Sequence, residues 1–218
     1  MSVVNGPRKR SGVVQNAVWN TLTNYISMSN SVLDLKGSYN GTLVGGASYV
    51  DDSVSFDGVN DGITLLNSQT IPTSDFSFNI WYYGNTNVLQ IFMDFSDGVS
   101  NSWLSTWPVF GIQGVRANDI EGHVFISSGV TYPSWHMVTI TYKIGGNTVF
   151  YFDAGEPQIP TSIARTYRPC PIALGFSQTL GGYYFNGKLK QYSFFNSELT
   201  ASDVLTLYNS GSGLPYIP

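Results

Sequence analysis

Three oxygen-bearing side chains, those of Asp57, Asn60 and Asp61, lie within a stretch of five residues that also contains Gly58. Carboxylate and amide oxygens, together with backbone carbonyls, are the ligands that Ca²⁺ takes in proteins. The same residue types also suit a tight turn, because Asp, Asn and Gly tolerate positive φ angles. We favour the turn as the reason for these residues and keep a calcium site as the alternative. No other cofactor is expected.

Aromatic side chains could bind carbohydrate, because aromatic rings stack on sugar rings while nearby amides and carboxylates bind the hydroxyl groups. The strongest candidates are Trp103 and Trp107, which we place in a polar loop over Ser100–Pro108. Four tyrosines in loop-like contexts are secondary candidates: Tyr132, Tyr167, Tyr183 and Tyr184. The alternative for all of them is packing beneath long loops or contact with a neighbouring subunit.

Glycoside hydrolysis would need two carboxylates on one face, about 5 Å apart in a retaining enzyme. The chain has only three glutamates, Glu121, Glu156 and Glu198, and no two of them are close in sequence. Asp94 and Asp97 are closer, but a separation of three residues along a strand puts two side chains on opposite faces. Glycoside hydrolysis is therefore the least favoured function.

A serine hydrolase or a histidine-rich metal site also has little support. His123 and His136 are the only histidines, Cys170 is the only cysteine, and no Gly-x-Ser-x-Gly sequence is present. That sequence forms the sharp turn that exposes the nucleophile of α/β-hydrolases. Zinc sites with three histidines, or with histidines and cysteines, need more ligands than this chain has. We predict that the protein is not an enzyme.

The charge distribution excludes some partners. Only 11% of the residues are charged and the net charge is −4, whereas a face that binds nucleic acid is strongly basic. The one cluster of positive charge is Arg8, Lys9 and Arg10, which is either a solvated arm or an arm that docks on an acidic partner subunit. No apolar run is long enough for a membrane span or resembles a signal peptide, so we expect synthesis in a cytoplasm.

Strands must carry most of these residues. Alternating apolar and polar residues with many glycines and prolines between them are typical of an antiparallel sandwich. The turn over Asp57–Gly62 predicts a hairpin between strands at Ser53–Phe56 and Ile63–Leu66. Further strands are predicted at Phe76–Tyr82, Leu89–Phe95, Val138–Tyr142, Thr148–Asp153, Ile172–Phe176 and Lys188–Phe195.

A short helix is predicted near the C-terminus. Thr200 and Asp203 have the spacing of a capping box, with Asp in the place of Glu. The helix would run to about Tyr208, with Gly211 as a stop signal. Leu205 and Tyr208 would dock it on the sandwich.

A chain of 218 residues suits one large β-sandwich, and no internal repeat or linker divides it. We therefore place an N-terminal arm or first element at residues 1–30 and one domain at residues 31–218. The predicted fold is all-β, a jelly roll of two antiparallel sheets with the short helix at its end.

Five segments, spread from Leu33 to Asn209, resemble the laminin-G-like, concanavalin A-like lectin/glucanase superfamily. Their order along the chain is also that of the superfamily. The segments are LDLKGSYNGTLVGGASYV (Leu33–Val50), VSFDGVNDGI (Val54–Ile63), FSFNIWYY (Phe76–Tyr83), WHMVTITY with VFYFDAG (Trp135–Tyr142 and Val149–Gly155), and FNGKLKQYSFFNSELTASDVLTLYN (Phe185–Asn209). The closing LYNSGSGLPY resembles bacteriophage-type members.

The resemblance implies a concanavalin A-like jelly roll with calcium on its rim loops in many members, and a structural role for His136 beside the core tryptophan. Its laminarinase-type enzymes carry a Glu-x-Asp-x-x-Glu motif that this chain lacks. We therefore expect a non-catalytic accessory or decoration protein on a virion surface, in a phage capsid or tail, that contacts other virion subunits, cell-surface glycans or both. The alternative is a calcium-dependent lectin. A homo-oligomer would raise avidity in either case.

Overall fold

The computed structural model describes residues 16–65, 71–86, 88–96, 103–109, 112–119, 122–128, 130–159, 171–178 and 180–218. In that part of the chain the strands form two antiparallel sheets of seven strands each. Sheet A has the order β12 (Thr148–Phe152), β11 (Trp135–Tyr142), β6 (Phe76–Gly84), β14 (Asn186–Phe195), β4 (Ser53–Asp57) and β3 (Ser48–Val50), with β1 (Leu22–Ile26) also paired to β14. Sheet B has the order β10 (Gly122–Ser128), β9 (Ile112–Asp119), β8 (Trp103–Val109), β7 (Gln90–Asp94), β13 (Ala173–Leu174), β5 (Gly62–Leu65) and β2 (Gly41–Val44).

The predicted all-β sandwich is confirmed, but one of its predicted hairpins is wrong. Strands β4 and β5 form on either side of the turn at Asp57–Gly62, yet β4 pairs with β3 and β14 while β5 pairs with β2 and β13. The turn therefore carries the chain from sheet A to sheet B. Turn residues alone do not distinguish a hairpin from such a crossing, because both need the same backbone angles.

Aromatic rings fill the space between the sheets. The even-numbered residues of β6, from Phe76 to Tyr82, are fully buried and face sheet B. The ring of Tyr82 stacks on that of Phe92 in β7, with 4.6 Å between centroids. Each such ring contributes about 1.5–3 kcal/mol through burial, so this layer holds the two sheets together.

The outer face of sheet A is partly covered. A 3-10 helix (Ala17–Thr21) and the α-helix α1 (Ala201–Tyr208) lie on it, and Trp19 stacks on Phe195 with 6.0 Å between ring centroids. We call the buried outward-facing residues beneath them the covered half: Trp81, Met137, Tyr151 and Phe195. Residues 16–26, within the predicted first element, are thus built into the sandwich. Arg8, Lys9 and Arg10 lie outside the described residues.

The predicted helix is confirmed with two corrections. The capping box is present, since Asp203 N donates to Thr200 Oγ1 over 3.2 Å and Thr200 N donates to Asp203 Oδ2 over 2.9 Å. The helix ends at Tyr208 as predicted, but the residue that stops it is Asn209, with φ 47°, rather than Gly211. Leu205 does not dock, because it is 60% exposed; Val204 and Leu207 are buried instead. In the described part of the chain, no helix has the length and apolarity to cross a bilayer.

Strand β14 changes partner along its length. Its first half pairs with β4 and its second half with β1. Between them the register to β6 shifts at a bulge, where Gln191 has φ 52°. Lys188 and Lys190 face outward before this bulge, and Phe195 faces outward after it.

Candidate functional site

One region of the outer face of sheet A lies beside the covered half, with Trp135 packed against the edge of that half. Its side chains come from the adjacent ends of β11, β6 and β14, and all are half-buried or exposed. We call this region the aromatic–lysine strip, which consists of Trp135, Tyr83, Asn85, Asn186, Lys188 and Lys190.

Strand register brings the strip together from three separate segments. Trp135 of β11 is opposite Tyr83 of β6, and Tyr83 is opposite Lys188 of β14. Lys190 is opposite Trp81 in the neighbouring row. Directly paired side chains on one face of a sheet are about 4.5–5.5 Å apart at Cβ, so these residues form one continuous surface.

The rings and the ammonium groups of the strip are in mutual contact. The Tyr83 and Trp135 ring centroids are 5.6 Å apart. Lys190 Nζ lies 4.3 Å from the Trp135 centroid and 5.3 Å from that of Trp81. Lys188 Nζ lies 5.8 Å from the Tyr83 centroid. Cations are attracted to ring faces at these distances, so the aromatic rings hold the lysines in place.

Carboxamide groups extend the strip to the end of the sheet. Asn85 N donates to Asn186 O over 3.0 Å, and Asn85 Nδ2 donates to Asn186 Oδ1 over 2.8 Å. Asn186 is also opposite Asp57 in the pairing of β14 with β4. Amides offer both donors and acceptors, so this end of the strip can donate hydrogen bonds to hydroxyl groups or accept hydrogen bonds from them.

The two lysines differ in their electrostatic surroundings. Lys188 Nζ is 3.1 Å from Asp51 Oδ2, so its charge is paired. Partial burial lowers the pKa of Lys190, opposed only by the charge of Asp52. Burial disfavours an ammonium ion because it removes water from it. The strip therefore has one neutralised cation and one partly desolvated cation.

Together these groups have the chemistry of a saccharide-binding surface. The Tyr83 and Trp135 rings provide apolar surface, the ammonium groups of the two lysines lie over these rings, and the carboxamide groups at the end of the strip add further hydrogen-bonding groups. Carbohydrate sites combine these two features. No motif in the sequence marks the strip, because its three segments lie about 50 residues apart and only the strand register brings them together.

Three of the predicted tyrosines, Tyr132, Tyr183 and Tyr184, lie at the same end of the sandwich as the strip but differ in exposure and packing. Tyr132 packs beneath Gly84, where an added Cβ would be 2.8 Å from its ring, and burial raises the pKa of Tyr132 to about 12. Tyr183 is 44% exposed, and Tyr184 stacks on Phe176 with 6.3 Å between centroids. Tyr183 therefore remains available to a ligand, whereas Tyr132 is a packing residue. Tyr167 lies outside the described residues.

The prediction of a loop that carries Trp103 and Trp107 is wrong. Both residues belong to β8, which pairs with β7 and β9. They are four positions apart along the strand, about 13 Å at the usual rise per residue. Trp103 is opposite Asp94, at the far end of the sandwich from the strip. A binding role for either residue stays a prediction.

Asp57, Asn60 and Asp61 do lie in one turn, and the turn uses the oxygens of both aspartates. Asp61 is 3% exposed, and its carboxylate accepts hydrogen bonds from Gly46 N and from Asp57 N, the latter over 2.9 Å. Asp57 Oδ1 accepts from Val59 N over 2.8 Å. Among the described residues there is no group of three His, Cys, Asp or Glu side chains arranged for a metal. The turn explains these residues, and calcium here stays a prediction.

Ser134, His136 and Asp153 form a hydrogen-bonded chain that no sequence motif indicates. His136 Nδ1 lies 2.8 Å from Asp153 Oδ2, and Nε2 lies 2.7 Å from Ser134 Oγ. In a hydrolytic triad with this order, the histidine accepts the serine proton. Here the Ser134 hydroxyl donates to the carbonyl oxygen of Thr131, which also lies 3.1 Å from His136 Nε2. Because the serine proton points to this carbonyl and away from the histidine, we interpret the network as structural: it holds the loop before Trp135 in place.

The sequence profile of one known family, described as the concanavalin A-like lectin/glucanases superfamily, matches residues 56–205. The match spans more than half of the 218 residues. The chain belongs to this superfamily. No curated protein matches it.

Solved structures share the superfamily fold at low identity. Domain 4 of AbnA, an arabinanase from Geobacillus stearothermophilus solved with arabinotriose, is 18% identical with a TM-score of 0.67, covering 85% of this chain and 97% of that domain. The Trypanosoma rangeli sialidase solved with sialic acid is 14% identical with a TM-score of 0.67, covering 88% of this chain and 33% of that one. The receptor-binding domain of botulinum neurotoxin mosaic serotype C/D is 15% identical with a TM-score of 0.64, covering 89% and 52%. The chain thus spans about half or less of the last two proteins.

Proposed function

We propose that the protein is a non-catalytic carbohydrate-binding module and that the aromatic–lysine strip is its binding surface. The observation that carries the proposal is the pair formed by Tyr83 and Trp135, two half-buried rings 5.6 Å apart at the edge of the covered half. The apolar side of a saccharide ring contacts aromatic surface, and the lysines over the rings and the carboxamides at the end of the strip bind its hydroxyl groups.

Membership of the superfamily and two of the structural neighbours support this proposal. The AbnA domain was solved with arabinotriose and the sialidase with sialic acid, so both of those proteins hold saccharides. The fold itself permits many functions. The local chemistry of the strip is therefore the stronger support.

The arrangement of carboxylates supports a role without catalysis. Glu156 follows the end of β12, whereas Glu198 follows the end of β14 at the opposite end of the sandwich. Asp94 is fully buried, and its two oxygens accept hydrogen bonds from Ser96 N and from Ser177 Oγ. Neither arrangement provides the exposed pair that glycoside hydrolysis needs. Glu121 and Asp97 lie outside the described residues.

The setting we propose is a virion surface, where the module decorates a capsid or tail and holds saccharides of a cell surface. The support is the resemblance of the closing segment at residues 207–216 to bacteriophage-type members of the superfamily. Residues 8–10 would attach the module to an acidic subunit. Deletion of residues 1–12 should then abolish attachment to particles in a co-sedimentation assay and leave saccharide binding unchanged; loss of saccharide binding instead would contradict this division of roles.

A glycan array, run on the purified protein with calcium and again with a chelator, tests the binding function. We expect selective binding that Trp135→Ala reduces at least tenfold, since loss of a stacking ring costs about 1–3 kcal/mol in comparable recognition. Tyr39→Ala, in the loop before β2, is the control for loss of an aromatic residue outside the strip. Retained binding in Trp135→Ala with loss in Trp103→Ala would move the site to sheet B.

The same array separates the remaining functions. Loss of binding with the chelator would favour the calcium-dependent lectin and direct attention to Asp57, Asn60 and Asp61. A blank array in both conditions would contradict the proposal and favour a purely structural role with a protein partner.

A further inference from the structure

Lys190 is a partly buried cation that makes no close ion pair in the described part of the chain, although the more distant charge of Asp52 acts on it. In the described part of the chain no carboxylate oxygen lies within 4.0 Å of its Nζ, while Lys188 in the same strip is paired with Asp51. Cations that lose water usually gain a counter-ion in return. The contrast between two lysines two residues apart in one strand is therefore informative.

The aromatic surroundings of Lys190 fix its position. Its ammonium lies over Trp135 and Trp81, at 4.3 Å and 5.3 Å from the two ring centroids. Ring faces attract a cation but satisfy none of its three N–H donors by conventional hydrogen bonds. The burial that lowers the pKa of Lys190 also strengthens any charge-assisted hydrogen bond that it makes.

We propose that Lys190 binds a carboxylate group of the saccharide, so that the strip prefers acidic sugars to neutral ones. This inference rests on the proposed function, because it assigns the ligand class of the same site. Nζ lies over the Trp135 ring, 4.3 Å from its centroid, so a carboxylate bound to it would lie at the aromatic surface where the proposed function places the saccharide.

The acidic residues around the strip are compatible with this preference. Asp51 is already paired with Lys188. Asp52 and Asp57 are both exposed to solvent, where screening limits their repulsion of an anion. Lys190, by contrast, is partly shielded from solvent, so its attraction is less screened than theirs.

The test uses matched pairs of saccharides on an array: glucuronic acid with glucose, galacturonic acid with galactose, and sialylated with desialylated oligosaccharides, plus sulfated members of each neutral type. We expect the wild-type protein to prefer the carboxylated member of at least one pair by about tenfold, the effect of one charge-assisted hydrogen bond. Raising the salt from about 0.1 M to about 0.5 M should reduce that preference.

Three variants assign the preference to Lys190. Lys190→Met keeps the apolar stem on the tryptophans and should equalise acidic and neutral members, whereas Lys190→Arg should keep the preference. Lys143→Met, which removes an exposed lysine next to Glu198, is the control for an equal change of net charge. The thermal midpoint of each variant shows that it is folded.

The outcomes separate the inference from the proposed function. Binding of neutral members alone, abolished by Trp135→Ala, would overturn the inference and leave the proposed function standing. A preference for sulfated members only, or an acidic preference unchanged in Lys190→Met, would also overturn the inference. Failure of every saccharide to bind would overturn both.

Discussion

The two halves of the outer face of sheet A are built on the same strands but have opposite surfaces. The covered half presents Met137, Tyr151 and Phe195 to α1 and the N-terminal 3-10 helix. The aromatic–lysine strip presents Trp135, Tyr83 and two lysines to solvent. A sheet face that nothing covers is normally polar. The half-buried rings of the strip depart from that rule, and the proposed saccharide-binding role is our explanation for the departure.

The largest effect we predict is in the covered half. Phe195→Ala removes a fully buried ring that stacks on Trp19, and such truncations cost about 3–5 kcal/mol. Urea unfolding should show this loss. The folded fraction should bind saccharide as the wild type does, because the strip keeps its contacts. A loss of binding in the folded protein would mean that the two halves are coupled.

The loss of stability at alkaline pH provides a comparison between the packing of the covered half and that of the loop beside the strip. Burial raises the pKa of Tyr25, which belongs to the same buried cluster as the covered half, and of Tyr132, in the loop, to about 12 from 10.0. The folded state favours the neutral phenols, so this stability is complete below pH 10 and is lost as the pH rises from 10 to 12. At about 1.4 kcal/mol per pKa unit, each group accounts for about 2–3 kcal/mol.

Unfolding by urea at a series of pH values measures this loss. Tyr25→Phe and Tyr132→Phe should each flatten part of the fall. If Tyr132→Phe leaves the profile unchanged while Tyr25→Phe flattens it, the loop beside the strip is less firmly packed than the covered half.

A smaller effect is expected at the start of the covering helix. Thr200→Ala removes the hydroxyl that accepts from Asp203 N, and loss of such a cap costs about 1 kcal/mol. Thr206→Ala, further along the helix, where the hydroxyl donates to Ser202 O over 2.8 Å, is the control. Chemical denaturation should show a larger loss of unfolding free energy for Thr200→Ala than for Thr206→Ala. Equal losses would show that the capping hydrogen bond adds no stability beyond that of an ordinary helix hydroxyl.

The smallest effect on stability should come from the strip itself. Lys190→Met replaces a partly desolvated cation with an apolar side chain, so the free energy of unfolding should stay the same or rise by a few tenths of a kcal/mol after screening is considered. Residues kept for binding often do not favour folding. A clear loss of stability in the same urea assay would indicate that Lys190 is a structural residue.

Much of the fold follows from local patterns, and the site does not. The alternation along Phe76–Tyr82 and the Thr200–Asp203 spacing predict β6 and α1 because both signals depend on near neighbours. The turn at Asp57–Gly62 misleads, because a crossing between sheets needs the same residues as a hairpin. No comparable alternation predicts β8 as a strand, which is why Trp103 and Trp107 were expected in a loop.

The strip could be predicted only in part. Tyr83 directly follows the predicted strand at Phe76–Tyr82, and Trp135 precedes the predicted strand at Val138–Tyr142. Extending the alternation of each strand would have placed both rings at outward positions. Lys188 and Lys190 add nothing to the pattern until the register of β14 against β6 is known. Register depends on tertiary pairing and is not encoded in any one segment.

The bulge at Gln191 has a consequence for how this surface can change over time. One extra residue in β14 resets which side chains face outward, so the lysines upstream and Phe195 downstream both point away from the core. Without the extra residue, regular alternation from Lys188 and Lys190 would put Tyr192 and Phe194 on the outer face and Phe195 in the interior. The strand is therefore divided into two independently variable stretches. Substitutions before Gln191 could therefore change ligand preference without disturbing the packing of α1 on the residues after it.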